Sequence, residues 1–285
     1  MTLAEGLSSK FLLVSEPSPY VLHIELARKP VNAFSVDFWT AYGALFDRIV
    51  AEGRDVRAVV LSSALPKLFT AGIDVADLAN TGIRTDGARA SLAIRQHILE
   101  FQHAISAPER CPFPVIAAVH GLVVGLGLDI ISACDIRYAA ENAQFTIKEV
   151  DVGLAADIGT LAHLPKITGN HSLMRELAYS ARLFSATEAA QLGLLSRAVP
   201  GARAEVVAAA LALARAIASK SPVAVSGTKR VLMHARDHSV AENLEYTAVW
   251  NAAALHTDDV TESLRASKTR SAATFAPLRK AAPKL

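Results

Sequence analysis

The sequence predicts a mixed α/β fold, and three observations carry that prediction. Two short, nearly all-apolar runs, 57–62 and 115–119, have the composition of strands covered on both faces. An amphipathic stretch ahead of both, 35–53, repeats apolar residues at helical steps. Each apolar run leads into a glycine-containing turn, after which helical periodicity returns.

In chain order, residues 20–26 alternate with Leu22, Ile24 and Leu26 on one face, the pattern of a strand. A helix follows, with Ser35 as N-cap, Gly53 just past its end, and Phe38, Tyr42, Leu45 and Ile49 on its inner face. The strand 57–62 enters a loop, 65–74, and a long helical segment spans about 86–106. The strand 115–119 runs into a glycine-rich turn, 121–127, and a short helix carries Asp129 to Cys134. Residues 136–139 and 145–148 read as further strands, and the chain beyond about 156 reads as nearly all helical. Ser185-Ala-Thr-Glu188 and Ser239-Val-Ala-Glu242 are capping boxes, and Pro222 sits in the first turn of another helix. The Ala-rich segment 204–218 is interrupted by Glu205 and Arg215 and reads as a packed helix. With no repeat, linker or compositional break, the expected arrangement is one α/β core with a helical C-terminal extension from about 200.

Composition narrows the function. Of 285 residues, 52% are apolar and 20% charged, which excludes a disordered or coiled-coil chain. The net charge of +2, with basic residues scattered, argues against a nucleic-acid binder and leaves an anionic small ligand open. No apolar run reaches the roughly 18–20 residues of a membrane span, so a soluble protein is expected. Cys111 and Cys134 are too few and too isolated for a disulfide framework or zinc site and read as buried thiols. The terminus Pro283-Lys284-Leu285 matches two of the three positions of a Ser-Lys-Leu peroxisomal signal.

Three carboxylates, Asp129, Glu149 and Asp157, stand among small apolar residues, where a charged group is costly to desolvate. Such acids have pKa values drawn toward neutrality, as proton transfer to and from carbon requires. Two turns, 69–74 (Phe-Thr-Ala-Gly-Ile-Asp) and 121–127, let backbone N–H groups approach a ligand. Donors from both, converging on one point, would form an oxyanion hole for a thioester enolate. His120, Asp135 and Asp151 read as structural, with Asp135 pairing with Arg137 or another cation and Asp151 held by local loop hydrogen bonds.

Taken together, Phe69–Asp74, Pro114-Val-Ile-Ala-Ala-Val-His-Gly121, Gly125-Leu-Gly-Leu-Asp129, Ala133-Cys-Asp-Ile-Arg137 and Phe145–Glu149 resemble the enoyl-CoA hydratase/isomerase (crotonase) superfamily. The likeness is collinear over most of 10–270. Within it, Lys148–Thr160 resembles the dienoyl-CoA isomerase branch, with support from Glu109-Arg-Cys-Pro112, 219–225 and 236–242.

The resemblance implies a spiral of ββα units over 1–200 that carries the active site. It also implies a helical region, 201–285, that builds homotrimers or dimers of trimers and part of the acyl-CoA pocket. The substrate would be a coenzyme A thioester, with no metal and no separate cofactor, nucleic acid or membrane partner. By position, the backbone N–H groups of Ile73 and Leu126 would hold the thioester oxygen, and Leu126 stands where the family carries a glycine. That substitution is tolerable where φ is negative. Asp129 and Glu149 match the two acids of the hydratases, while Asp157 matches an aspartate of the isomerases at a position the hydratases fill with glycine.

A 1,5-proton shift follows from that set, with Glu149 at C2, Asp157 at C6 and Asp129 tuning the pair. The reverse assignment of Glu149 and Asp157 stays open. Ala33, Ala71, Gly72, Asp74 and Gly125 fall in segments that would touch the substrate, and Arg28 or Lys29 would meet the CoA phosphates or sit in a solvated turn. The alternatives are a 2-enoyl-CoA hydratase, which Asp157 and the shortened Asp129 disfavour, and a non-catalytic CoA- or RNA-binding relative, which the retained acids disfavour. In this context the C-terminal tripeptide points to the peroxisome, with the mitochondrion as the alternative.

Overall fold

The protein, seen here as a computed structural model, is described over residues 2–76 and 86–278, so the terminal Pro283-Lys284-Leu285 lies outside the described residues. The chain opens with an antiparallel hairpin, β1 (Leu12–Ser18) and β2 (Val21–Leu26). Sequence reading missed β1. Its inward positions run Leu12, Val14, Glu16 and Ser18, so the apolar alternation fades after one repeat. Helix Val36–Ala51 then packs Phe38, Tyr42, Phe46 and Ile49 into the core. Ser35 has extended N-cap geometry, but its side chain makes no capping hydrogen bond.

Three ββ steps follow: β3 (Ala58–Ser63) with β4 (Leu68–Thr70), β5 (Val115–Val119) with β6 (Leu122–Val124), and β7 (Ile136–Ala140) with β8 (Gln144–Thr146). The first strand of each pair joins one sheet and the second joins another, so the chain advances as the expected spiral of ββα turns. The larger sheet has the order β1-β2-β3-β5-β7-β10 and the smaller β4-β6-β8-β9, with β9 (Phe184–Ser185) and β10 (Arg197–Val199) closing them. Within the larger sheet only the β1–β2 pairing is antiparallel. Helices Gly87–Ile105 and Ala107–Arg110 connect β4 to β5, and helix Leu126–Ser132 connects β6 to β7.

Successive residues of β3 and β5 are buried because both faces of the larger sheet are covered. Val59, Leu61, Val115 and Ala117 face the core that contains helix Val36–Ala51. Val60, Ile116 and Ala118 face Val206, Ala210 and Ala214 of helix Arg203–Ala218. Fully burying a side chain of valine or leucine size contributes about 1.5–3 kcal/mol, so this two-sided cover anchors the spiral.

Short strands account for two departures from the expected elements. The region beyond 156 is helical at Thr160–Ile167, His171–Ser180 and Ala186–Leu192, yet it also supplies β9 and β10, two- and three-residue strands too short for a periodic signal. β4 and β6 lie inside segments read as loop and turn, for the same reason. Asp135 has its expected cation in buried Lys229, whose Nζ donates to Asp135 Oδ2 at 2.8 Å and to the carbonyls of Pro108 and Phe113.

Both capping boxes form, and Pro222 opens helix Pro222–Asp237. Cys111 and Cys134 are free and buried, and burial pushes both thiols up to about 12. Helices Pro222–Asp237, Val240–Ala254 and Asp258–Thr269 leave Leu232, Val240, Leu244, Val249, Leu255 and Leu264 exposed. Among the described residues no single helix is long and apolar enough to cross a membrane.

Candidate active site

β4, β6 and β8 are parallel neighbours in the smaller sheet, with Thr70 beside Val123 and Val124 beside Thr146. Their C-terminal ends therefore emerge side by side. The residues just beyond them are the turn 71–74, Gly125-Leu126, and Ile147–Glu149.

In the first turn, Phe34 N donates to Gly72 O at 2.8 Å and Asp74 N donates to Phe34 O at 3.0 Å. The N–H of Ile73, between them, makes no hydrogen bond among the described residues. Leu126 is the first residue of its helix, so its N–H has no intrahelical acceptor. The turns touch: a side chain at Gly72 would begin 3.0 Å from Val124 O and 3.8 Å from Leu126 N. Two backbone donors without an acceptor thus lie on adjoining turns. Leu126 is not among the non-glycine residues of positive φ, because Gly125 takes the unusual conformation at φ 48°. The side chain at 126 is accommodated without left-handed backbone.

The three acids act on one another: the charges of Asp129 and Asp157 both reach Glu149, which lies against the Gly125 turn. Asp129, one turn along from Leu126, is 2% exposed, and its Oδ1 accepts from Thr160 N at 2.6 Å. Burial pushes its carboxyl up to about 6. Glu149 follows β8 and lies against the Gly125 turn, its Oε1 only 2.9 Å from where a side chain at Gly125 would begin. Glu149 Oε2 is buried with no hydrogen-bond partner among the described residues. Burial first, then the charges of Asp129 and Asp157, push Glu149 up to about 7. Asp157 is exposed, yet partial desolvation raises its carboxyl above the usual carboxylate range. Its carbonyl accepts from Gln102 Nε2 at 2.6 Å, which ties its loop to helix Gly87–Ile105.

Other expected residues have different partners. Arg28 Nη2 donates to Asp74 Oδ2 at 2.8 Å, and Nη1 donates to the carbonyl of Ala33. Ala71 N donates to Val31 O at 3.0 Å. Segment 28–34 is therefore packed on the donor turn, with Lys29 exposed. His120 Nε2 meets Leu65 O at 2.7 Å, and burial lowers its pKa, as suits a neutral structural histidine. Asp151 pairs with Lys148 within its own loop.

Sequence reading missed the polar network beneath the donor turn. Buried Asn32, at φ 49°, directs Nδ2 to Ser63 Oγ at 2.8 Å and to Phe69 O at 2.9 Å. Thr70 Oγ1 donates to Asn32 O at 2.6 Å and accepts from Gly72 N at 3.0 Å. The available signal was an asparagine two residues after a proline, since asparagine tolerates the left-handed region. Such a set of donors beside acids of near-neutral pKa can stabilise a thioester enolate and carry protons to and from its carbon skeleton.

Known proteins are similar to this chain over most of its length. The profile of the enoyl-CoA hydratase/isomerase family matches residues 17–276. The Delta(3,5)-Delta(2,4)-dienoyl-CoA isomerase, mitochondrial, of Homo sapiens is 48% identical over 264 residues, covering 91% of this chain and 80% of that protein. The peroxisomal enzyme of that name from Arabidopsis thaliana is 42% identical, covering 90% and 93%. The crystal structure of an enoyl-CoA hydratase from Bacillus anthracis superposes with a TM-score of 0.83 at 27% identity, covering 93% of this chain and 98% of that one.

Proposed function

Because this chain belongs to the enoyl-CoA hydratase/isomerase family, we propose that it converts 3,5-dienoyl-CoA to 2,4-dienoyl-CoA by a 1,5-proton shift. The observation that carries this reading is a third acid, Asp157, whose charge reaches Glu149 from the exposed side of the site. Two relatives that cover most of the chain bear the name of that reaction.

The thioester oxygen accepts from the N–H groups of Ile73 and Leu126. C2 is bonded to the thioester carbon, so it lies beside those donors, and Glu149 is pressed against Gly125, the residue next to Leu126. Ionised Glu149 takes a proton from C2. The electron pair delocalises through the diene into the thioester, and protonated Asp157 delivers a proton at C6. The C2–H bond breaks, the C6–H bond forms, and both double bonds move one carbon toward the thioester. No oxidation occurs and no cofactor enters. Acyl-chain binding removes further water from Asp157 and favours its protonated form. Asp129 stays behind, its Oδ1 committed to Thr160, where it tunes Glu149 rather than activating water. That commitment weighs against hydration.

The pH dependence follows from the base. Glu149 works ionised, and its pKa is raised to about 7, so kcat/KM rises with pH through about 7. A spectrophotometric assay with 3,5-octadienoyl-CoA reads both diene conversion and this profile. A profile flat from about pH 5 to 8 contradicts the assignment of Glu149.

The exposed apolar side chains of the last three helices, around a groove of about 530 Å³, support assembly into trimers or dimers of trimers. Light scattering should give three or six times the 30.2 kDa of one chain. A monomeric mass overturns that assembly.

A further inference from the structure

We propose that Arg28 and Asp74 form a latch that aims the Ile73 N–H at the thioester oxygen, which makes Arg28 a positioning residue rather than a ligand of the CoA phosphates. The inference rests on the enolate chemistry just proposed. Arg28 spends one guanidinium nitrogen on Asp74 Oδ2 at 2.8 Å and the other on the carbonyl of Ala33. Both contacts bracket the donor turn. Asp74 directly follows Ile73, and Ala33 directly precedes Phe34, whose N–H and C=O hold Gly72 and Asp74.

The pair works from outside the site. Its two side chains are 27% and 23% exposed, and Asp74 Oδ1 also accepts from Ala76 N at 3.2 Å. Hydrogen bonds from Arg28 and Ala76 hold the Asp74 carboxyl below the usual carboxylate range, so it is ionised whenever Glu149 is. A planar guanidinium that meets a carboxylate and a carbonyl together fixes an angle that a single ammonium cannot. A misplacement of about 1 Å in a catalytic donor costs on the order of 100-fold in rate, so loss of this angle is felt in turnover.

The test compares Arg28→Ala, Arg28→Lys, Asp74→Asn and the double variant Arg28→Ala/Asp74→Asn on two thioesters of the same acyl chain. One is the CoA thioester and the other the pantetheine thioester, which lacks the nucleotide phosphates. The latch predicts kcat reduced about 10- to 100-fold on both substrates, KM changed by less than about threefold, and a double variant no worse than either single one. Arg28→Lys restores only part of kcat. A rise in KM confined to the CoA thioester, with the pantetheine thioester unaffected, identifies a phosphate ligand and overturns the latch. Unchanged kcat on both substrates overturns it too. If the wild type hydrates 2-enoyl thioesters but leaves dienes alone, the substrate assignment fails while the latch is still read on hydration. If it is inert on both, the two proposals fall together.

Discussion

Asp157→Asn is expected to abolish diene isomerisation while leaving the first half of the reaction intact. Asparagine keeps the size and polarity of the side chain but has no proton to give at C6. The loss should be about 100- to 10,000-fold in kcat, the range for a general acid, with KM within a few-fold. Glu149 and the two backbone donors remain, so C2 still ionises and is reprotonated from the same side. In D2O, substrate recovered from Asp157→Asn should therefore carry deuterium at C2 although little product forms. Glu149→Gln should lose both the exchange and the isomerisation. The contrast separates the two acids, because a general collapse of the site would abolish exchange in both variants. Full isomerisation by Asp157→Asn would remove Asp157 from the mechanism.

The second large effect is expected at Gly125→Ala. The new methyl would begin 2.9 Å from Glu149 Oε1 on a backbone at φ 48°, so it both strains the turn and displaces the base. The same turn presents the N–H of Leu126, and removal of one oxyanion donor alone costs on the order of 100- to 1,000-fold. The combined loss should reach at least that range in kcat. Gly193→Ala is the control: φ is 90° there, but only ordinary contacts at 3.6 Å and beyond surround the new methyl. It should lower the melting temperature, through roughly 1 kcal/mol of backbone strain, and leave turnover unchanged. Equal activity losses in the two variants would mean that strain, and not the approach to Glu149, limits the rate.

The legibility of this site in the sequence follows from physical causes. β3 and β5 are readable because a strand covered on both faces must be apolar at every position, and Val59 and Val60 point into opposite cores. β4 and β6 are not readable, since three residues between turns complete no period, although these strands aim both donors. The acids are visible as charges in apolar surroundings, but their roles rest on resemblance, because Asp129 and Glu149 meet only once β6 and β8 pair. The network of Asn32, Ser63 and Thr70 escapes detection for a similar reason: hydrogen bonds spanning 31 and 38 residues leave no local pattern. The expectation for Leu126 turned on one backbone angle, and its neighbour Gly125 supplies the answer.

The central claim is most directly tested by wild-type turnover of 3,5-octadienoyl-CoA in D2O, with the position of the label read by NMR. The proposed geometry predicts a 2,4-dienoyl product carrying deuterium at C6, formed without any hydroxyacyl-CoA. A 3-hydroxyacyl product, or a diene that passes through unchanged, would contradict it.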